Sequence, residues 1–144
     1  MYRSILVPVD GSMPSRKALA VAAELVDRGQ GLLFVLNVQA QPLADDTLGH
    51  LAGAPAPDAD ERVQAAGHAV VDSVRKDLSL DSERMRLEVR SGDPAKVITA
   101  EAEGLGVDAI VMGSRGVSGV GSLVVGSVSQ HVLHAASCTV IVVR

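Results

Sequence analysis

The chain has 144 residues, 47% of them hydrophobic and 1% aromatic, with a formal net charge of −4. At this length one domain with one core is expected, burying roughly 70% of the surface that the unfolded chain exposes, and the Val, Ala, Leu and Ile that carry the apolar share suit a sheet packed by aliphatic helices. The negative charge and the scarcity of rings for stacking on bases argue against nucleic acid or an anionic membrane as partner; no apolar run approaches the ~20 residues of a membrane span, and a lone Cys138 excludes an internal disulfide and fits a reducing, cytoplasmic setting.

Taken in order, Tyr2–Val7 is too short for a signal-peptide core and is followed at once by Pro8 and Asp10. Ile5–Val9 reads as a first buried strand and Asp10-Gly11-Ser12 as the turn out of it, with Ser12 able to cap the next helix and Pro14 tolerated in its first turn. Leu19, Ala22, Leu25 and Val26 form the helical stripe that Gly29 and Gly31 are expected to end. Leu32–Val38 is a second apolar run without alternation, as in strands covered by helices on both faces. Gln39–Asp58, rich in Pro, Ala, Asp and Gly, is longer than an ordinary connection and reads either as disordered or as a functional lid.

From about Asp60, Val63, Gly67, Val70, Val74 and Leu78 share one helical face. Met85–Arg90 then alternates strictly and reads as an edge strand with one polar face. Asp93 is placed to cap a helix that has Pro94 at its first position and closes at Gly104 to Gly106. Ala109–Met112 is a fourth, buried strand, a short helix runs from Gly126 to about Ala135, and Thr139–Val143 is the last strand. Strands alternating with helices make an α/β fold with a parallel sheet. With strand 3 at an edge, the doubly wound order is 3-2-1-4-5 and its switch point lies between strands 1 and 4.

The stretch after strand 4 concentrates the chemistry. Glycines at 113, 116, 119, 121 and 126 let backbone N–H groups turn towards one point, and the helix that follows aims its unpaired first amides at the same region, which suits phosphate oxygens. Gly-Lys-Ser/Thr is absent, which excludes a P-loop, and Val124 stands where a dinucleotide fingerprint needs glycine. What remains is Gly-x2-Gly-x9-Gly-Ser, met by Gly113, Gly116, Gly126 and Ser127. Asp10 faces the same crevice from strand 1, as a ligand for a ribose hydroxyl or for a magnesium ion held by phosphates, with a turn or cap role beside Ser12 as the alternative. Asn37-Val38 ends strand 2 where a purine ring can be received. Ser127 donates to a phosphate or caps the short helix, two roles that share one geometry and do not exclude each other, and Arg115 either reaches a phosphate or is solvated. Asp108 reads as structural; His131 and His134 lack companions for a metal site, and Cys138 reads as a small buried hydrophobe.

The four-position spacing, the Val7-Pro8-Val9-Asp10 opening, Asn37-Val38, Val111-Met112-Gly113 and the Val-rich last strand together resemble the ATP-binding members of the universal stress protein family, over the whole chain 1–144. The resemblance implies a flavodoxin-like, adenine nucleotide alpha hydrolase-like fold, a homodimer, and ATP with Mg²⁺ or Mn²⁺ held through the phosphates. By matching positions it implies Asp10 and Val38 at ribose and adenine, Gly113 and Gly116 at the inner phosphates, and Gly126, Ser127 and Val128 at the outer ones. Pro8, Val9, Met112, Ser114 and Arg115 accompany them. One departure is Thr139, where the family often has proline.

Phosphoryl transfer wants a positioned base and a cationic clamp, whereas Arg115 is the one charged residue between Gly113 and Ser127. The expected function is therefore an ATP-binding regulatory or stress-response protein with slow or absent hydrolysis and no assigned catalytic residue. The alternatives are a slow ATPase or nucleotidyl-transfer enzyme and an interaction module with an empty pocket. Valine at position 113 or 116 is expected to block the phosphates and leave the protein folded. The last strand, apolar on both faces at a sheet edge, is expected to pair with a copy of itself across a two-fold axis, and a further protein partner is compatible with a regulatory role.

Overall fold

Apolar runs become strands here because each is sandwiched between helices. In the computed structural model, which describes residues 1–40, 58–78, 81–114 and 126–144, the order is Ser4–Pro8 (β1), Met13–Leu25 (α1), Leu32–Gln39 (β2), Asp58–Arg75 (α2), Met85–Ser91 (β3), Pro94–Leu105 (α3), Ala109–Gly113 (β4), Ser127–Ala135 (α4) and Thr139–Val143 (β5). The five strands form one parallel sheet in the order β3-β2-β1-β4-β5, as the patterning predicts. Of the segment Gln39–Asp58 read as disordered or as a lid, Gln39 instead ends β2 and Asp58 opens α2, while residues 41–57 lie outside the described residues.

Alternate residues of β1, β2, β4 and β5 serve two cores. Ile5 and Val7 of β1, Leu33 and Val35 of β2 and Ala109 and Val111 of β4 pack with Ala18, Leu19 and Ala22 of α1 and Val71 and Val74 of α2. Leu6, Leu36, Ile110 and Met112 pack with Ala95, Ile98 and Ala102 of α3 and Val132 of α4. Ile5, Leu6, Leu36 and Ile110 are completely buried, each contributing roughly 1.5–3 kcal/mol of burial free energy. The sheet is thus covered on both faces, which accounts for the unbroken apolar runs of β1, β2 and β4.

Helix boundaries follow local chemistry, with one difference from the sequence reading. Ser12 caps α1, its Oγ accepting from the Ser15 N–H at 3.3 Å, and Asp93 caps α3 by accepting from the Lys96 N–H at 3.2 Å. Gly106 closes α3 in the left-handed region at φ 62°. Helix α1, however, stops at Leu25, well before Gly29 and Gly31, because Val26 turns extended to sit in the core and bridge to Tyr2. Thr139 opens β5 directly opposite Ala109, so strand pairing proceeds without a proline before it.

At the N-terminal end of the sheet, charged side chains tie backbone to backbone. Asp108 Oδ2 accepts from the Arg3 and Ser4 N–H groups at 2.8 and 3.0 Å, locking the start of β4 to the start of β1, as its structural reading requires. Arg84, just before β3, donates to the carbonyls of Gly31 (3.0 Å), Arg28 (2.7 Å) and Asp27 at the turn between α1 and β2.

Candidate functional site

The opposite, C-terminal end of the sheet contains the switch point. Strand β1 pairs with β2 on one side and β4 on the other, so the chain leaving β1 and the chain leaving β4 emerge beside one another. The first of these is a tightly wired turn. Gly11 sits at φ 84°, a conformation costly for other residues, and lets Asp10 reverse so that its Oδ1 accepts the Ser12 N–H at 2.9 Å. Ser15 Oγ donates to the Ser12 carbonyl at 2.9 Å and accepts from the Asp10 N–H at 3.4 Å. Arg16 Nε donates to the Gly11 carbonyl at 3.3 Å, while its Nη1 bonds Asp77 at 2.6 Å and the Ser73 carbonyl at 3.1 Å, tying the turn to the C-terminal half of α2. Asp10 is therefore a turn residue with an exposed carboxylate, so its structural role coexists with exposure at the crevice.

The second arm begins at Gly113. A Cβ built there would lie 2.8 Å from the Pro14 carbonyl carbon and Cβ and 2.9 Å from the Ser15 nitrogen. Glycine is demanded by the close approach of α1, and position 113 is not among the positive-φ glycines at 11, 92 and 106. The expectation that valine at 113 leaves the fold intact is thereby corrected: that side chain would be driven into helix backbone. Ser15 touches both arms, since it also holds Asp10.

Beyond Gly113, Ser114 is buried; its N–H donates to the Val143 carbonyl at 2.7 Å, extending the β4–β5 pairing, and its carbonyl accepts from the Gly126 N–H at 2.6 Å. Helix α4 starts at Ser127 with Gly126 as its cap residue and no side-chain capping bond. The capping role considered for Ser127 is thus not the one it plays; it is the first helical residue, with its side chain exposed. Val128 packs partly against the second core. Arg115 and Gly116, like Gly119, Gly121 and Val124, lie outside the described residues.

At the end of β2, Asn37 is 2% exposed, its Nδ2 donating to the Val9 carbonyl at 2.8 Å and its Oδ1 accepting from Gln39 Nε2 at 2.6 Å. The Val9 N–H in turn donates to the Leu36 carbonyl at 2.8 Å. Val9 and Met112 place their side chains in the two cores, whereas Pro8 and Val38 are half-buried. Gly67 allows α2 to settle on this corner: a Cβ there would collide with Val89 and approach Asn37 Oδ1 at 3.1 Å. Sequence reasoning placed Asn37 at the crevice but missed its clamp on Val9. It missed Ser129 altogether, whose only local signal was a small polar residue on the inward face of a short helix.

No group of three or more His, Cys, Asp or Glu able to hold a metal ion occurs among the described residues. His131 and His134 are exposed on α4. Among the described residues no helix is long and apolar enough to cross a membrane.

Comparison with known proteins agrees with this architecture. The sequence model described as "Universal stress protein family" matches residues 1–144. A universal stress protein of Thermus aquaticus is 37% identical, with all of both chains covered. The solved structure of hypothetical protein MJ0577 superposes with a TM-score of 0.81 over 99% of this chain and 96% of that one, at 23% identity. A universal stress protein from Archaeoglobus fulgidus, solved in complex with dAMP, does so with a TM-score of 0.62 over 99% and 98%, at 24% identity. With its fold, its strand order and its full length all matched, this chain belongs to the universal stress protein family.

Proposed function

We propose that this chain, acting as one universal stress protein domain, binds ATP between the ends of β1 and β4 and serves as a nucleotide-dependent regulatory or stress-response protein with little or no hydrolysis. The observation that carries the reading is the pairing of an exposed Asp10 carboxylate with the uncapped N-terminus of α4, both flanking the switch point. First-turn amides without a side-chain cap are ready donors to phosphate oxygens. In this reading the Ser127 hydroxyl and the Gly126, Ser127 and Val128 backbone face the outer phosphates. The strand ends at Pro8, Val9, Met112, Gly113 and Ser114 form the floor, Val38 lies beside the base, and Asp10 serves the ribose or a Mg²⁺ or Mn²⁺ ion carried by the phosphates. Arg115 and Gly116 enter through their place in the spacing alone. That the Archaeoglobus fulgidus protein holds dAMP supports the fold's capacity for an adenine nucleotide; the case for this chain rests on its own residues.

Nucleotide released by denaturing freshly purified protein, identified by chromatography, together with calorimetric titration of Mg-ATP, tests the proposal. ATP in the released fraction and a saturable titration are expected; an empty protein that gives no heat with Mg-ATP overturns it.

The same reading includes a homodimer through β5. Val140, Ile141, Val142 and Val143 are half-buried at an edge with no charge within the strand, whereas β3, the other edge, carries Arg86, Glu88 and Arg90, the last bonded to Glu88 and Glu101 at 2.9 and 2.8 Å. Light scattering is expected to report twice the chain mass and Ile141→Pro to abolish that dimer; a wild-type monomer rejects the interface.

A further inference from the structure

Ser129 is 2% exposed in the first turn of α4, and its hydroxyl is turned away from its own helix. Its Oγ donates to the Gly113 carbonyl at 2.9 Å and lies 3.5 Å from the Ser114 carbonyl. One residue before α4, the Gly126 N–H donates to the same Ser114 carbonyl at 2.6 Å. The carbonyls that end β4 are therefore both held by the first turn of α4, while the Ser114 N–H is held by Val143 of β5. On the α1 side of Gly113 there is no room even for a Cβ, which would lie 2.8 Å from Pro14 and 2.9 Å from the Ser15 nitrogen.

We propose that Ser129 is a positioning residue: its hydroxyl fixes the N-terminus of α4 against the end of β4 and so sets where the amides of Ser127 and Val128 stand relative to the crevice. A buried hydroxyl costs free energy unless bonded, and here the bond goes to another element, the end of β4. That bond couples two segments distant in sequence. Placing the phosphate-facing amides is a role that rests on the nucleotide reading above; holding the neck between residues 114 and 126 does not.

Ser129→Ala removes one oxygen, keeps the Cβ and favours the helix, so a folded variant is expected and a thermal melt checks it. Without nucleotide, exchange of the Gly126 amide is expected to accelerate about fivefold, the effect of one lost hydrogen bond. With nucleotide, ATP affinity is expected to fall by a similar factor while adenosine affinity stays unchanged, because only the phosphate-bearing ligand reads the α4 amides. Unchanged exchange at Gly126 overturns the proposal, and so does an equal loss for ATP and adenosine, which marks a merely structural serine. If the wild type binds neither ligand, the nucleotide reading fails by itself and the exchange result alone decides whether Ser129 holds the neck.

Discussion

The two ends of the parallel sheet are built from different residue types. At the N-terminal end charged side chains hold backbone: Asp108 takes two amides and Arg84 three carbonyls. At the C-terminal end one long side chain, Arg16, holds the Gly11 and Ser73 carbonyls, and the remaining ties are made by short side chains, from Ser12, Ser15, Ser129 and Asn37, and by glycines that admit close approach at 67 and 113. Short side chains close the backbone geometry without filling the crevice, and they leave the Asp10 carboxylate and the Ser127 hydroxyl exposed at its rim. Asp10 and Asp108 are both exposed and both accept backbone N–H groups, so the difference between the ends lies in the short side chains and close-approach glycines around Asp10, not in the charge itself.

The largest expected effect breaks that division. Gly113→Val lies at the C-terminal end, yet its side chain would meet α1 backbone at 2.8 to 2.9 Å, so overpacking of about 3 kcal/mol is expected, read as a lowered urea midpoint. An unchanged midpoint would mean that α1 yields freely and that glycine is there for a ligand alone.

Asp10→Ala sharpens the comparison from the other side. Loss of one charge-assisted hydrogen bond to the nucleotide is expected to weaken Mg-ATP binding by about 2 kcal/mol in calorimetry, with a small drop in melting temperature from the lost Ser12 contact. A lower melting temperature at unchanged affinity would assign the carboxylate to the turn alone.

Arg84→Ala should give the mirror image. Three carbonyls of the α1–β2 turn lose their donor, with an expected cost of about 1.5 kcal/mol in denaturant unfolding and no change in nucleotide affinity. A change in affinity would show that the two ends are energetically coupled through the sheet.

These variants also mark what was legible in the sequence. All five strands and the order 3-2-1-4-5 could be read, because unbroken apolar runs in β1, β2 and β4 and strict alternation in β3 are direct consequences of burial on two faces or one. The caps Ser12 and Asp93 were legible because capping is local. Arg84, Asn37 and Ser129 were not: each acts on backbone that is remote in sequence or in another element, and no periodicity records such a partner. Gly113 was identified at the right place for an incomplete reason. A glycine in a motif looks the same whether space is reserved for a phosphate or for a neighbouring helix, and only the position of Pro14 separates the two.

The smallest expected effect concerns the one thiol, which lies at the N-terminal end, just before β5. Burial pushes the Cys138 thiol up, the nearby Asp108 carboxylate adds to this, and the backbone groups of Cys138 and Ile110 act in the opposite direction without cancelling it. With the folded value above the unfolded one, the unfolded chain loses its proton first as pH rises. Between the two values it binds fewer protons than the folded chain, so stability falls with rising pH in that alkaline window and is unaffected below it. The accompanying chemistry is easier to measure than the stability change, because the thiolate is the reactive form. Folded protein is expected to react with a disulfide reagent at mildly alkaline pH more slowly than the same chain in urea. Asp108→Asn keeps an oxygen for the Arg3 and Ser4 amides and removes the charge, so it should quicken that reaction slightly while leaving the sheet clamped. A folded thiol that reacts faster than the unfolded one would contradict the assignment of this end of the sheet to structure, since it would place an activated nucleophile where the geometry has only ties.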